Sequence, residues 1–561
     1  MTTHNAQMKI LWLDINSSYS HSSVALPAIH SQVSDVQEWE WCVVRATIND
    51  NPGAVAAAVA EHNPDVIAAT FWLFIHQMQI EVLSRAVQMT GPVTVVCGGP
   101  EFLGNNEAFL RRNPFVTAVI RGEGEEALPE FLRHTEDRSA WSGIAGLCWL
   151  ADGSYQDNGV ARVADFANLR YPEDSSFFCW DKPFVQLETT RGCFNTCAFC
   201  VSGSEKPVRT QSLEQIRGRL ETICSHGIKD VRVLDRTFNY DTGRACSMLD
   251  LFSEYAGRMR FHLEIHPALM SEQLKEKLST LPSGLLHLEA GIQSLDSRVL
   301  SESGRKGSLE SSLDGLRFLC SLDNLQTHAD LIAGLPEYSL EMLNRDIVRL
   351  AELGVNELQI ESLKLLPGTK MRSCAETKGL KYSPLPPYEI LQTPQMTPQE
   401  LGKAMKISRM IDLYYNSDAW QDIIRELICS TENFLQKFTY NLDDMMILNS
   451  PVSLERRGLL LYNYCKEHHP ESLSEVSLAW IEAGFSLKKE PAGNILKIKN
   501  MEAYLSENNL QIKTEYGQLD STLRYYLYTS EEQKVIFGYD SQTHLPAPIF
   551  RATVTTNQHI R

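Results

Sequence analysis

The chain has 561 residues, which is too long for a single hydrophobic core and predicts about two to four domains. Its 43% hydrophobic and 22% charged residues are ordinary for a globular protein, and no apolar run reaches the ~18 residues of a membrane span. The 52 basic and 70 acidic residues give a formal charge of -18, which opposes non-specific binding to nucleic acid.

The N-terminal stretch carries no basic segment followed by a long apolar run, and it enters a strand pattern at Ile10. We therefore expect no secretory signal, no membrane span and a cytoplasmic location. In a reduced cytosol the 13 cysteines are not expected to form a disulfide framework.

Residues 1–140 alternate short apolar runs with helical patterns. Such alternation predicts parallel pairing in an α/β, doubly wound, Rossmann-like sheet. The predicted strands are Ile10–Leu13, Val66–Thr70, Val93–Cys97 and Val116–Ile120, and the predicted helices are Pro52–His62, Gln77–Met89 and Asn106–Asn113. Ligands of such sheets bind at the carboxyl ends of the strands, which here include the segment TFWLF (70–74) and the pair Gly98–Gly99.

Residues 141–182 are interpreted as a connector with a hairpin, and the alternation restarts in residues 183–372. The predicted strands there are Val185–Thr189, Val231–Leu234, Phe261–Ile265, Leu286–Ala290, Thr327–Ile332 and Glu357–Leu363. Six strand–helix units are too few for an eight-stranded barrel but fit a partial, open (β/α)6 barrel. Residues 373–561 are predicted to form a mainly helical C-terminal domain with a small β element, formed by pieces such as LRYYLYT and KVIFGY.

Three cysteines follow the first barrel strand with the spacing C-x-x-x-C-x-x-C. Cys193, Cys197 and Cys200 lie in a glycine-flanked loop, RGCFNTCAFC, which is not a core pattern. Thiolates select zinc or iron–sulfur clusters, and structural zinc commonly uses two C-x-x-C pairs. Because no second pair follows nearby, the spacing favours a 4Fe–4S cluster with one iron left open.

This motif resembles that of the radical S-adenosylmethionine superfamily, with Phe199 in the aromatic position before the last cysteine. The resemblance implies that the open iron binds S-adenosylmethionine and that an electron from the cluster cleaves it to a 5′-deoxyadenosyl radical. It also implies that polar residues at the ends of the next strands contact S-adenosylmethionine. The predicted contacts are Phe199, Asp235, Thr237, Glu264, Gln293, Ser294 and Gly334.

The N-terminal domain, with its phrases CGGPEF and RGEGEEALPEFL, resembles that of the cobalamin-binding class of the same superfamily. The resemblance implies a corrin between this domain and the barrel. The predicted cobalamin contacts are Ser18, His21, Phe71, Gly98, Gly99, Pro100, Gly122 and Glu123. The loop after the first strand lacks the D-x-H-x-x-G motif of cobalt-ligating histidines, which favours base-off binding, with His21 as the alternative ligand.

The resemblance as a whole implies a radical enzyme, a transferase that methylates an unactivated carbon of a small molecule with cobalamin. A reduced flavodoxin or ferredoxin would donate the electrons, and nucleic acid is not an expected partner. Three alternatives stay open: a cobalamin-independent cyclisation, rearrangement or aminocarboxypropyl transfer; methylthiolation of transfer RNA; and a non-catalytic iron–sulfur or zinc module. The sequence names no catalytic residue.

Overall fold

A computed structural model of the protein describes residues 7–531, 533–540 and 547–556. The described residues form two compact units: the first comprises the described parts of Met1–Asp346 and Ile360–Gly402, and the second those of Ile347–Gln359 and Lys403–Arg561. None of the helices in these residues combines the length and the hydropathy that a membrane span requires.

The first unit begins with a seven-stranded sheet in the order β2-β1-β3-β4-β5-β6-β7. Its strands are β1 (Met8–Asn16), β2 (Trp39–Thr47), β3 (Val66–Thr70), β4 (Thr94–Gly98), β5 (Ala118–Ile120), β6 (Leu147–Ala151) and β7 (Ser154–Asp157). Its helices are α1 (Ala25–Val33), α2 (Pro52–Glu61), α3 (His76–Thr90), α4 (Glu107–Arg112) and α5 (Gly124–Arg133). The strands β1 to β5 pair in parallel, which confirms the predicted doubly wound domain.

Both faces of this sheet are covered, as alternate residues of β1 demonstrate. Leu11 and Leu13 pack in one hydrophobic cluster, and Ile10 and Trp12 pack in another. Successive side chains of a strand point to opposite faces, so the two clusters lie on opposite sides of the sheet. Burial on both sides explains why the central strands read as continuous apolar runs.

The hairpin in the predicted connector belongs to the N-terminal sheet. Strand β6 pairs antiparallel with β5, and β7 pairs antiparallel with β6. The sheet therefore extends to Asp157, beyond the predicted boundary at residue 140.

The second part of the first unit is built on six strands in the order β15-β14-β13-β12-β11-β8. The strands are β8 (Val185–Leu187), β9 (Thr190–Arg191), β10 (Arg209–Thr210), β11 (Asp230–Val233), β12 (Arg260–Ile265), β13 (Leu286–Gln293), β14 (Gln326–Ala333) and β15 (Glu357–Ser362); β9 and β10 form a separate two-stranded pair. The helices are α6 (Leu213–Ser225), α7 (Thr242–Ser253), α8 (Glu272–Ser279), α9 (Ser297–Glu302), α10 (Leu309–Cys320) and α11 (Leu340–Glu352). All six predicted barrel strands are confirmed, and their neighbours from β8 to β14 pair in parallel.

Helix α6 begins where its sequence predicts. The Ser212 hydroxyl accepts from the Gln215 backbone N–H at 3.2 Å, and the Gln215 side chain accepts from the Ser212 N–H at 2.8 Å. This reciprocal capping satisfies two backbone donors that a helix start leaves without partners. The short elements α12 (Lys370–Ser373), β16 (Lys381–Tyr382) and β17 (Ile390–Gln392) complete the first unit.

The second unit is helical at first and ends in a five-stranded sheet. Its helices are α13 (Pro398–Met410), of which the residues up to Gly402 belong to the first unit, α14 (Gln421–Ser430), α15 (Phe434–Asp444), α16 (Leu454–His468), α17 (Leu473–Glu482) and α18 (Met501–Glu507). Its strands are β18 (Asn494–Ile498), β19 (Leu510–Tyr516), β20 (Leu523–Thr529), β21 (Lys534–Asp540) and β22 (Phe550–Thr556), in the antiparallel order β18-β20-β21-β22-β19. The predicted mixture of helices with a β element is confirmed, with a larger sheet than expected.

Candidate active site

The three cysteines occupy one loop, residues 192–208, which follows β8 and is closed at its base by the β9–β10 pair. Cys193 and Cys197 are buried, Cys200 is half-buried, and all three are free thiols. The Cys193 N–H donates to the Glu205 carbonyl at 3.0 Å and the Cys200 N–H to the Cys197 carbonyl at 3.2 Å. These bonds fold the cysteine loop back on itself at the carboxyl end of the first barrel strand.

Two glycines make this compact loop possible. Gly192 has φ +102°, a left-handed conformation that side chains disfavour. At Gly203, a Cβ atom would lie 2.5 Å from the Cys197 carbonyl oxygen, which no real Cβ tolerates. Position 192 therefore requires glycine because of its backbone conformation, and position 203 requires it because a side chain would not fit.

The thiols lie close enough to influence one another electrostatically. Burial raises the pKa of Cys197, and its neighbours Cys193 and Cys200 raise it further, while Arg305 opposes them. The Arg305 guanidinium lies 3.8 Å from the Cys197 sulfur. Three neighbouring cysteines, two of them buried, without a fourth cysteine or a histidine in their loop fit an iron–sulfur cluster that keeps one iron open.

The loop is anchored to the segment after α9, which the sequence did not single out. The Asn195 side-chain oxygen accepts from the Thr196 and Lys306 N–H groups at 2.8 and 2.9 Å. The Ala198 N–H donates to the Ser303 carbonyl at 2.7 Å. The glycines in the segment SGRKGS (303–308) are the only sequence signal for this contact.

Asp235, a predicted S-adenosylmethionine contact, supports the strand end before the cysteine loop. Its carboxylate accepts from the Thr189 and Thr190 N–H groups, each at 2.8 Å, and from the Thr189 hydroxyl. Asp235 is only 2% exposed. In this structure the carboxylate positions the backbone of Thr189 and Thr190, a role that the location of Asp235 at a strand end did not reveal.

Thr237 and Glu264, two further predicted S-adenosylmethionine contacts, lie near the cysteines. The Thr237 hydroxyl is 3.8 Å from the Cys193 sulfur and donates to the Arg236 carbonyl at 2.6 Å. Burial raises the pKa of Glu264 to about 7, with Arg236 opposing the shift and acidic neighbours on β13 and β14 adding to it. Glu264 is therefore a carboxyl group that can change protonation near neutral pH.

The end of strand β13 is irregular where Gln293 and Ser294 were predicted to face the ligand. The pairing register shifts between Gly291 and Gln293, and Gln293 has φ +71°. A side chain in this left-handed region is strained, and such strain concentrates at functional sites. Ser294, by contrast, is fully buried, and its hydroxyl donates to Asp346 at 3.1 Å, so its hydrogen bond lies within the protein core.

The remaining two predicted contacts differ in character. Gly334 follows β14 with φ +88°, and a Cβ there would lie 2.7 Å from a side-chain carbon of Ile390. Phe199 is half-buried next to Cys200 in the cysteine loop. Gly334 is thus required for close packing, whereas Phe199 stays a prediction that rests on its place in the motif.

A small apolar pocket of about 220 Å³ opens at the strand ends of the N-terminal sheet. Four predicted cobalamin contacts line it: Gly98, Gly99, Gly122 and Glu123. Gly99 has φ +107°, and a Cβ there would lie 2.7 Å from the Phe71 carbonyl oxygen. Gly99 is therefore needed for the close approach of the Phe71 backbone, and the apolar walls of the pocket fit a flat aromatic group.

An ionic network joins this pocket to the cysteine loop. Arg191, which precedes Cys193 by two residues, donates to Glu125 at 2.8 Å and lies 3.5 Å from Glu123. Arg209, on the other strand of the β9–β10 pair, also bonds Glu123. The strands that close the cysteine loop therefore bind the rim of the small pocket.

The other four predicted cobalamin contacts, Ser18, His21, Phe71 and Pro100, do not line this pocket. His21 is exposed, and its Nδ1 atom lies 2.7 Å from the Ser18 hydroxyl, so its ring is oriented by a hydroxyl and not by a carboxylate. Phe71 is completely buried against Phe102, and Pro100 begins a short helical turn. None of these four residues lines the small pocket or the wide cavity described next.

The wide cavity has a volume of about 1280 Å³. Leu73 and Phe74, from the TFWLF segment, line it together with Cys197 and Cys200. Strand ends of the N-terminal sheet and the cysteine loop thus face one space large enough for a macrocyclic cofactor.

The fold and site define a two-domain radical enzyme scaffold, and comparisons with known proteins agree. Residues 187–350 match the family described as the radical SAM superfamily, residues 13–132 match the B12 binding domain, and residues 376–477 match a protein family of unknown function, DUF4080. The chain therefore carries a radical SAM domain preceded by a B12-binding domain.

Individual relatives are distant. The chain is 23% identical to an uncharacterized methyltransferase of Pyrococcus horikoshii, over 63% of this chain and 79% of that protein. It is also 23% identical to the cobalamin-dependent radical SAM methyltransferase TokK of Streptomyces tokunonensis, over 55% of this chain but only 48% of TokK.

Among solved structures, the radical S-adenosylmethionine methyltransferase TsrM of Kitasatospora setae, with cobalamin and a 4Fe–4S cluster bound, superposes with a TM-score of 0.56 at 17% identity. This match covers 70% of the present chain and 84% of TsrM. At this identity the likeness concerns the fold.

Proposed function

We propose that the protein is a cobalamin-dependent radical S-adenosylmethionine methyltransferase that methylates a carbon atom of a small molecule. The observation that carries the proposal is the wide cavity, where residues of a B12-binding domain and the cluster cysteines face the same space. When bound, the cluster and S-adenosylmethionine supply a carbon radical, and cobalamin supplies the methyl group.

The residues of the chain have separate tasks in this proposal. Cys193, Cys197 and Cys200 hold the cluster, and Arg305 favours the charged thiolate form of Cys197. The small apolar pocket, which Gly98, Gly99 and Gly122 line, holds the aromatic tail of cobalamin. Enclosure between sheet ends and barrel excludes water from the reacting atoms.

The proposal also includes a substrate and an electron donor. The substrate is a small molecule, and a reduced flavodoxin or ferredoxin supplies electrons from the cytoplasm. The net charge of -18 supports the absence of nucleic acid as the substrate.

The test uses anaerobically reconstituted protein incubated with S-adenosylmethionine and dithionite, with and without hydroxocobalamin. We expect the protein to retain both iron and corrin and to release 5′-deoxyadenosine. The Cys197→Ala variant should lose the cluster absorbance and the nucleoside product. Cys224→Ala, a half-buried cysteine on α6, is the matched control and should retain both.

Two results would contradict the proposal. Iron content and nucleoside formation that persist unchanged in Cys197→Ala would refute the cluster assignment. Protein that forms 5′-deoxyadenosine but does not retain corrin would favour a cobalamin-independent radical reaction.

A further inference from the structure

His76 is a histidine of the wide cavity that the sequence analysis did not single out. It is the first residue of α3 and follows the TFWLF segment at the end of β3. The same cavity is lined by Phe74 and by the cluster ligands Cys197 and Cys200. His76 thus lies on the N-terminal wall of the space in which the proposed function requires a corrin.

The His76 ring is held in a fixed orientation. Its Nδ1 atom lies 2.9 Å from a carboxylate oxygen of Glu101, which is 3% exposed in its side chain. The rings of Phe71 and Phe109 pack edge-on against it at 5.4 and 6.0 Å between centroids. A buried carboxylate on Nδ1 selects the tautomer that has its proton on that atom.

Glu101 is itself oriented by a second donor. The Tyr388 hydroxyl donates to the same Glu101 oxygen at 2.8 Å, and the Arg372 guanidinium lies over the Tyr388 ring at 4.4 Å. Glu101, Tyr388 and Arg372 all line the wide cavity. The carboxylate therefore keeps a hydrogen-bond donor even when His76 is replaced.

The second ring nitrogen of His76 has the properties of a metal ligand. Within the residues that the structure describes, none forms a hydrogen bond with Nε2, and 14% of the side chain is accessible. Metal-ligating histidines usually donate their other nitrogen to a carboxylate, which fixes the ring and raises its basicity. His76 meets this condition, whereas His21, oriented only by a serine, does not.

We propose that His76 supplies an axial nitrogen ligand to the cobalt of cobalamin through Nε2, with Glu101 as the carboxylate that orients the ring. This inference rests on the proposed function, because it requires that cobalamin binds. It replaces the expectation of base-off binding without a protein histidine. Tyr388 is a positioning residue, since it acts on the ligand only through Glu101.

The test reads the nitrogen directly and does not depend on activity. Reconstituted holoenzyme is reduced to the cobalt(II) form, and its electron paramagnetic resonance spectrum is recorded. A single axial nitrogen of the common isotope, with nuclear spin one, splits each cobalt line into three. In protein whose histidines carry the heavy nitrogen isotope, with spin one-half, we expect each line to split into two.

Labelling the histidines distinguishes a cobalt ligand that comes from the protein from one that comes from the cofactor. This distinction is needed because cobalamin has a nitrogenous base of its own. A threefold splitting that is unchanged by labelled histidine would assign the nitrogen to that base and overturn the inference. Unsplit lines in corrin-loaded protein would overturn it while leaving the proposed function intact. Protein that retains no corrin would overturn both, which distinguishes the two failures.

Variants locate the ligand within the chain. His76→Asn places an amide nitrogen where Nδ1 now meets Glu101 but lacks Nε2, so we expect corrin retention with loss of the nitrogen splitting. His62→Ala removes an exposed histidine next to α2 in the same domain and should keep the splitting. If His21→Ala abolishes the splitting and His76→Asn does not, the assignment to His76 is wrong.

Discussion

Replacing Asp235 distinguishes a positioning role from direct contact with S-adenosylmethionine. In Asp235→Ala, the buried Thr189 and Thr190 N–H groups lose their acceptor. An unsatisfied buried donor costs about 1–3 kcal/mol, so the two together destabilise this conformation of the strand end by about 2–6 kcal/mol. Since each 1.4 kcal/mol corresponds to about tenfold in population, the native cysteine loop becomes ~30-fold rarer even at the low end.

The conservative variant separates the two roles. In Asp235→Asn, the amide oxygen can accept from both N–H groups, and the amide nitrogen can donate to the Thr189 hydroxyl. We therefore expect Asp235→Ala to lose most of its iron after reconstitution and Asp235→Asn to retain it. The KM for S-adenosylmethionine, measured by 5′-deoxyadenosine formation, should remain unchanged in Asp235→Asn.

The reasoning fails if Asp235→Asn keeps its iron but raises the KM about tenfold or more. That result would mean that the negative charge binds the methionyl amine, as the sequence resemblance implies. Normal iron content in Asp235→Ala would refute the positioning role independently.

Two further predictions concern the barrel interior and the small pocket. Burial raises the pKa of Glu264 to about 7, above its unfolded value, so its contribution to stability is present at low pH and is lost as pH rises through the folded pKa. We therefore expect the unfolding midpoint of the cluster-free wild type to fall, relative to that of Glu264→Gln, as the pH rises from about 5 to about 8. The expected loss of unfolding free energy is about 3 kcal/mol. Unfolding midpoints of the two proteins that change with pH in parallel would contradict this prediction. Ala28 of α1 lines the small pocket, so the larger side chain in Ala28→Leu should occupy part of the pocket and reduce corrin retention. The control Ala57→Leu, on the exposed face of α2, should retain corrin as the wild type does. Equal corrin retention in the two variants would mean that the pocket is not part of the cofactor site.

The barrel strands were predictable because apolar residues recur along them at every second position: β12 and β13 bury alternate residues, and the residues between these are half-buried or exposed. The same reasoning missed strand β2 (Trp39–Thr47), which lies at the edge of the N-terminal sheet and is mostly half-exposed. An edge strand has only one neighbour and less burial, so its sequence, WEWCVVRAT, shows neither a clear apolar run nor a clear alternation.

Only those parts of the candidate site whose residues lie close together along the chain could be predicted from the sequence. Cys193, Cys197 and Cys200 lie within one loop, so their pattern is visible without a structure. His76, Glu101 and Tyr388 meet only after folding, since Tyr388 is 287 residues away from Glu101. A contact of this kind leaves no local pattern, and the only available sequence signal was that His76 lies two residues after the TFWLF segment.

The direction of a side chain was the other property that spacing did not reveal. Asp235 and Ser294 both follow barrel strands, as the prediction required, but their oxygens bond Thr189 and Asp346 within the core. Strand ends bring residues to one edge of a sheet, yet a one-residue irregularity decides whether a side chain faces ligand or protein. At Gln293 the register shift in β13 produces such an irregularity.

Arg191 explains why the two halves of the first unit have to be considered as one site. Burial lowers the pKa of this guanidinium, but Glu125 and Glu188 outweigh burial and raise it, so the cation is held by carboxylates from both halves. Glu125 lines the small pocket, and Glu188 directly follows β8, before the cysteine loop. Removing one partner of such a buried ionic network leaves the others uncompensated, which is far more costly than the loss of a surface ion pair. Arg191, two residues before the first thiol, therefore couples the geometry of the small pocket to that of the cysteine loop, together with the Arg209–Glu123 pair.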